Sequence, residues 1–127
     1  MKYWNKPVDV EFSRFRVLPG KSQKVDEWLD YLRSHLSEVS ATLDGEKMYV
    51  ETIFREKTES GEEYLCWYSI QGQGGTLVQN SSHEIDRIHL QYWRECIDPS
   101  YKRVDLVTEV IMLDPRIFSV IAKESNH

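Results

Sequence analysis

Residues 46–71, EKMYVETIFREKTESGEEYLCWYSIQ, decide the fold. Two β-rich runs, 46–58 and 62–71, flank Glu59-Ser60-Gly61. This is a three-residue hairpin loop with glycine where the backbone needs a positive φ. The loop places Thr58 opposite Glu62, and Lys57 opposite Glu63 as a favourable cross-strand ion pair. On one face Phe54 then meets Cys66, Thr52 meets Tyr68 and Val50 meets Ile70. On the other, Ile53 meets Trp67, Glu51 meets Ser69 and Tyr49 meets Gln71. The first face is mostly apolar and the second is mixed.

Upstream, residues 8–17 alternate apolar and polar side chains as a strand does. Leu18-Pro19-Gly20 turns the chain. From Ser22 the period lengthens. Val25, Trp28, Leu29, Leu32, Leu36, Val39 and Leu43 recur at three- and four-residue steps, which predicts one long amphipathic helix. Gly45, in a left-handed conformation, is expected to end it. Downstream, 72–80 reads as a glycine-containing loop. Ser81 with Glu84 forms a capping box for a second helix, with Ile85, Ile88, Tyr92 and Cys96 as its apolar stripe. Residues 103–113 read as the last strand, Asp114-Pro115 start a short helix through Ile121, and 123–127 fray.

The order strand, helix, strand, strand, helix, strand predicts an α+β fold. The expected form is a ferredoxin-like β-α-β-β-α-β sandwich: a four-stranded antiparallel sheet with two helices on one face, of the dimeric α+β barrel type. The chain reads as one domain, 1–127, with a core at 8–113, an N-terminal arm at 1–7 and a C-terminal extension at 114–127. The uncovered sheet face is expected to be the mixed one, carrying Tyr49, Ile53 and Trp67. So much apolar surface calls for a partner, and a homodimer is the expected remedy. A terminal segment, 1–7 or 114–122, is the rival cover.

Composition narrows the function. The chain has 127 residues, 16 Lys plus Arg against 21 Asp plus Glu, and a net charge of −5. That acidic balance argues against a nucleic-acid partner. Hydrophobic content of 40% and charged content of 29% suit a soluble globular chain. No apolar run reaches the ~18–20 residues of a membrane span, and Met1–Pro7 lacks the apolar stretch of a secretory signal. Cys66 and Cys96 form no C-x-x-C pair. A reducing, cytoplasmic setting follows as the expectation.

Several motifs fall short of chemistry. Gly20-Lys21-Ser22 lacks the upstream glycine of a phosphate-binding loop, since position 15 is Phe. Gly72-Gln73-Gly74-Gly75 has Leu77 where a dinucleotide fingerprint needs Gly or Ala. His83 and His89 are six positions apart, so at ~100° per residue they point to nearly opposite sides of a helix and share no metal. No cofactor or metal is expected. His89 stands one turn before Trp93 and can stack on it, as a packed core histidine or as a general base at a pocket mouth. Arg14 and Glu51 are mid-strand charges that are costly unless exposed, paired or used. Trp67, Tyr68 and Tyr64 are core aromatics or a stacking wall. Cys66 and Cys96 read as small buried hydrophobes.

Arg14-Phe-Arg-Val-Leu-Pro-Gly-Lys21, Glu46 to Glu56, Trp67-Tyr-Ser-Ile-Gln-Gly72 and His89 to Asp98 together resemble an uncharacterised bacterial family, a domain of unknown function. That family is similar to the ferredoxin-like dimeric α+β barrels, a group that includes antibiotic-biosynthesis monooxygenases and haem-degrading enzymes. Those monooxygenases run from the third strand directly into a helix, whereas here a Gly/Gln loop intervenes. The leading functional expectation is a small dimeric protein that binds a small organic molecule between sheet and helices. Arg14, Glu51, Trp67, Tyr68, His89 and Trp93 are its candidate ligand-binding residues. The alternatives are a monooxygenase-like enzyme with His89 as acid/base, or a structural or regulatory partner protein.

Overall fold

The computed structural model describes residues 8–73 and 83–125. Its elements are β1 (Asp9–Arg16), α1 (Ser22–Ser34), α2 (Leu36–Gly45), β2 (Met48–Lys57), β3 (Glu63–Gln71), α3 (Glu84–Cys96), β4 (Val104–Asp105) and α4 (Pro115–Ser125). The four strands form one antiparallel sheet in the order β2-β3-β1-β4. The architecture is α+β.

The hairpin follows the turn. Gly61 takes φ +88° and its N–H donates to the Thr58 carbonyl at 3.0 Å, while the Thr58 N–H closes on the Glu62 carbonyl at 2.8 Å. Lys57 pairs with Glu63, Phe54 with Cys66, Ile53 with Trp67 and Glu51 with Ser69. At the far end the register slips. Gln71 pairs with Met48 rather than Tyr49, and the irregularity lies between Met48 and Val50. The Tyr49 ring passes over Gly72, where a Cβ would meet it at 3.0 Å. A side chain at 72 would have to push the Tyr49 ring aside.

The predicted long helix is two helices, broken at His35 (φ −124°, ψ 30°). The break has a local cause. The Ser34 hydroxyl donates to the Asp30 carbonyl at 2.8 Å, and His35 Nδ1 donates to the Tyr31 carbonyl at 2.7 Å. Both are i−4 carbonyls taken by side chains. The backbone N–H of His35 turns instead to Leu32 at 3.2 Å, tightening the last turn of α1. At the end of α2 the left-handed residue is Lys47 (φ 54°), not Gly45.

Helix α3 begins at Glu84, with His83 at its N-cap. The proposed capping residue Ser81 lies outside the described residues. The last strand is two residues, where eleven were expected. Val104 and Asp105 pair with Arg14 and Ser13. Then the Leu106 N–H reaches the Phe12 carbonyl at 2.9 Å, and the Thr108 side chain takes the Val10 carbonyl at 2.5 Å. A side chain thereby occupies the acceptor that the ladder would use next. Beyond it Val107, at 80% exposure, and Met112, at 88%, stand in solvent.

The core joins α1, α3 and one sheet face: Val25, Trp28, Leu29 and Cys96 pack with Val17, Leu65 and Ile97, and Phe15, Ile53 and Trp67 close around them. The mixed hairpin face is therefore the covered one, contrary to expectation. The reason lies in β1. Phe15 stands opposite Leu65 and adds its ring to that side, giving Trp67 a pocket of partners. The other face, on which no helix packs among the described residues, holds Val50, Phe54, Phe12 and Tyr68, with the Phe12 and Phe54 rings 6.2 Å apart. Among the described residues no helix is long and apolar enough to cross a membrane.

Candidate functional site

The break at His35 sends α2 over β2 and α3 rather than onward along α1. Between α1, α2, α3 and the covered sheet face lies a cavity of about 630 Å³. Its apolar wall comes from α1–α2 (Leu29, Leu32, Leu36, Val39, Leu43) and from the aromatic cluster of the core. Trp67 and Trp93 meet edge to face at 5.0 Å, and Phe15 meets Trp93 at 4.6 Å.

The polar lining holds three carboxylates beside Arg33, Arg103, Ser40, Thr42 and His89. Glu46 follows α2, Glu51 projects from β2 and Asp86 from the first turn of α3. Burial, reinforced by the Asp86 and Glu51 charges and opposed by the Thr42 hydroxyl, pushes Glu46 up to about 7. Glu51 is exposed to solvent at one side of its side chain. Burial raises its pKa, with Asp86 adding to the rise and the Trp67 indole opposing it. Asp86 is 6% exposed, and its Oδ2 has no hydrogen-bond partner among the described residues.

His89 completes the polar wall. The Trp28 indole N–H donates to His89 Nδ1 at 3.0 Å. An indole nitrogen can only donate, so Nδ1 is the lone-pair nitrogen and the ring proton sits on Nε2. Burial lowers the pKa of His89, against an opposing pull from Asp86. The imidazole is thus neutral and presents one N–H. Its ring neighbours are Trp28 at 5.4 Å and Trp67 at 6.2 Å, across the core, where helical spacing pointed to Trp93.

Of the six residues singled out from the sequence, Glu51, Trp67, His89 and Trp93 line this cavity. Arg14 and Tyr68 lie on the opposite sheet face, as strand alternation requires once Trp67 faces inward. Arg14 pairs with Glu56 at 3.0 Å and lies over the Tyr64 ring at 3.5 Å. It makes no pair with Glu51. Cys66 and Cys96 are buried free thiols, and burial raises both pKa values. Glu46 and Asp86 were not anticipated. Asp86 did carry a signal: it adjoins Ile85 and precedes His89 by three positions, which puts a charge beside the inward stripe.

No group of three or more His, Cys, Asp or Glu among the described residues is placed to hold a metal ion. A family model described as a family of unknown function, DUF6176, matches residues 8–119. No curated protein matches the chain.

Proposed function

The chain belongs to DUF6176, a family of unknown function, and from the site's geometry we propose that it binds a small organic molecule in the cavity between helices and sheet. The observation that carries this reading is the cavity itself. Ligand pockets typically enclose roughly 300–1,000 Å³, with mostly apolar walls and a few convergent polar groups. Here about 630 Å³ is walled by Trp67, Trp93 and the α1–α2 aliphatics, with His89, Glu51, Glu46 and Asp86 as the polar set. The Trp28–His89 bond favours binding over catalysis. A general base needs a free lone pair, and that of Nδ1 is already engaged. His89 serves as a hydrogen-bond donor to the ligand. The test is a titration with a mixed-charge fragment library, watched at the indole N–H resonances of Trp67 and Trp93. Saturable shifts that vanish in Ser40→Trp, which fills the cavity from α2, are expected. Shifts that persist in that variant, or none at all, count against it.

A second reading concerns assembly. We propose a homodimer of the ferredoxin-like dimeric-barrel kind, joined through the bare sheet face. Phe54 at 51% and Val50 at 38% exposure supply the apolar centre. The Arg14–Glu56 pair puts both signs of charge on the same face, so the patch can complement a second copy of itself. Two free buried thiols suit a reducing, cytoplasmic setting.

A further inference from the structure

Resting on the cavity-binding reading above, we infer that the ligand is an organic cation: an aliphatic or aromatic body carrying an ammonium head that docks among Glu46, Glu51 and Asp86.

Glu46 after α2, Glu51 on β2 and Asp86 on α3 line one cavity, and among the described residues no cation forms an ion pair with them. Two arginines also reach the wall. Arg33 is paired with Asp30 at 2.7 Å, and Arg103 with Asp105 at 3.1 Å. His89 is neutral, since its Nδ1 accepts the Trp28 N–H. The decisive atom is Asp86 Oδ2. A buried carboxylate oxygen without a donor costs stability, and proteins rarely leave one so. An ammonium group brings up to three N–H donors and a positive charge to that position.

The carboxylates are not clustered tightly enough to hold a bare metal ion among the described residues. The Trp67 ring stands beside Glu51, and such rings also attract cations. The Leu29, Leu32, Leu36, Val39 and Leu43 wall takes the apolar body.

The charges interact. Glu46 faces Thr42 from α2, Glu51 from β2 and Asp86 from α3, and the neighbouring carboxylates help hold its proton on to about pH 7. A bound ammonium reverses that effect, so binding near pH 6 must release a proton.

The test uses three probes of one shape, phenylbutylamine, phenylbutanol and phenylbutyrate, titrated into the full chain at pH 8 and followed at the Trp67 and Trp93 resonances. The amine is expected to bind at least tenfold tighter than the alcohol, and the carboxylate weakest of all. Glu51→Gln should reduce the amine's advantage over the alcohol severalfold. Asp86→Asn should do the same where it folds. Calorimetry in buffers of different ionisation heat should show proton release for the amine at pH 6. If the alcohol or the carboxylate matches the amine, the cation is wrong and the cavity reading stands. If no probe moves these resonances, both fail.

Discussion

His89 and Glu46 titrate in opposite senses, and this sets how the protein responds to pH. Burial depresses His89 from 6.5, so the unfolded chain takes up that proton first. Its contribution is present above pH 6.5 and is lost as the pH falls below it. Glu46 is raised from 4.5 to about 7, so the folded chain holds that proton more tightly. Its contribution is full below pH 4.5 and is lost as the pH rises through 7. Glu46→Gln should therefore raise stability at pH 8 by about 1–3 kcal/mol, and the gain should vanish below pH 4.5. Urea unfolding at the two pH values checks this. Trp28→Phe removes the donor at Nδ1 and should move the His89 titration midpoint upward, read from its imidazole proton shifts. An unmoved midpoint would mean that the indole bond has no part in holding His89 neutral. The residues of the site divide by legibility. The hairpin register put Trp67 and Glu51 on one face, but that the helices cover this face depends on Phe15 of β1, which the hairpin alone does not show. Glu46 could not be read, because it follows a helix whose path was unknown.

At the scale of elements, the hairpin was readable and the α1–α2 region only partly so. A three-residue loop specifies which residues pair, and that information is local. The helix break is local too. It depends on Ser34 and His35 side chains competing for carbonyls, which hydrophobic periodicity does not register. The last strand failed for a related reason. Its alternating pattern is real, but pairing beyond Asp105 depends on which group reaches the Val10 carbonyl. The two turn-region glycines differ sharply. Gly61→Ala should destabilise by about 1–2 kcal/mol, because its positive φ is costly for any side chain. Gly45→Ala should stabilise by about 0.5–1 kcal/mol, since the residue is helical and a Cβ there meets nothing within 4 Å. Chemical denaturation of both variants reads the two signs directly.

For the whole molecule, the sheet has one face sealed by helices and one carrying Phe54 and Val50 in the open. The expectation of a partner was drawn from the wrong face, because the hairpin was weighed without β1. On the face that no helix covers among the described residues the argument is stronger, since that side is the more apolar. Sedimentation should give twice the 15.0 kDa of one chain, and Phe54→Glu should return the particle to a single chain with its helix content intact. A particle of one chain's mass at every concentration would remove the dimer and leave the cavity untouched, because the cavity lies on the other side of the sheet. The account rests most heavily on that cavity. Its most direct test is a crystal structure of the full chain soaked with a fragment mixture. Density bounded by Trp67, His89 and Leu43 is the predicted result, and Leu36 and Leu43 collapsed onto Trp67 with no space between them would contradict it.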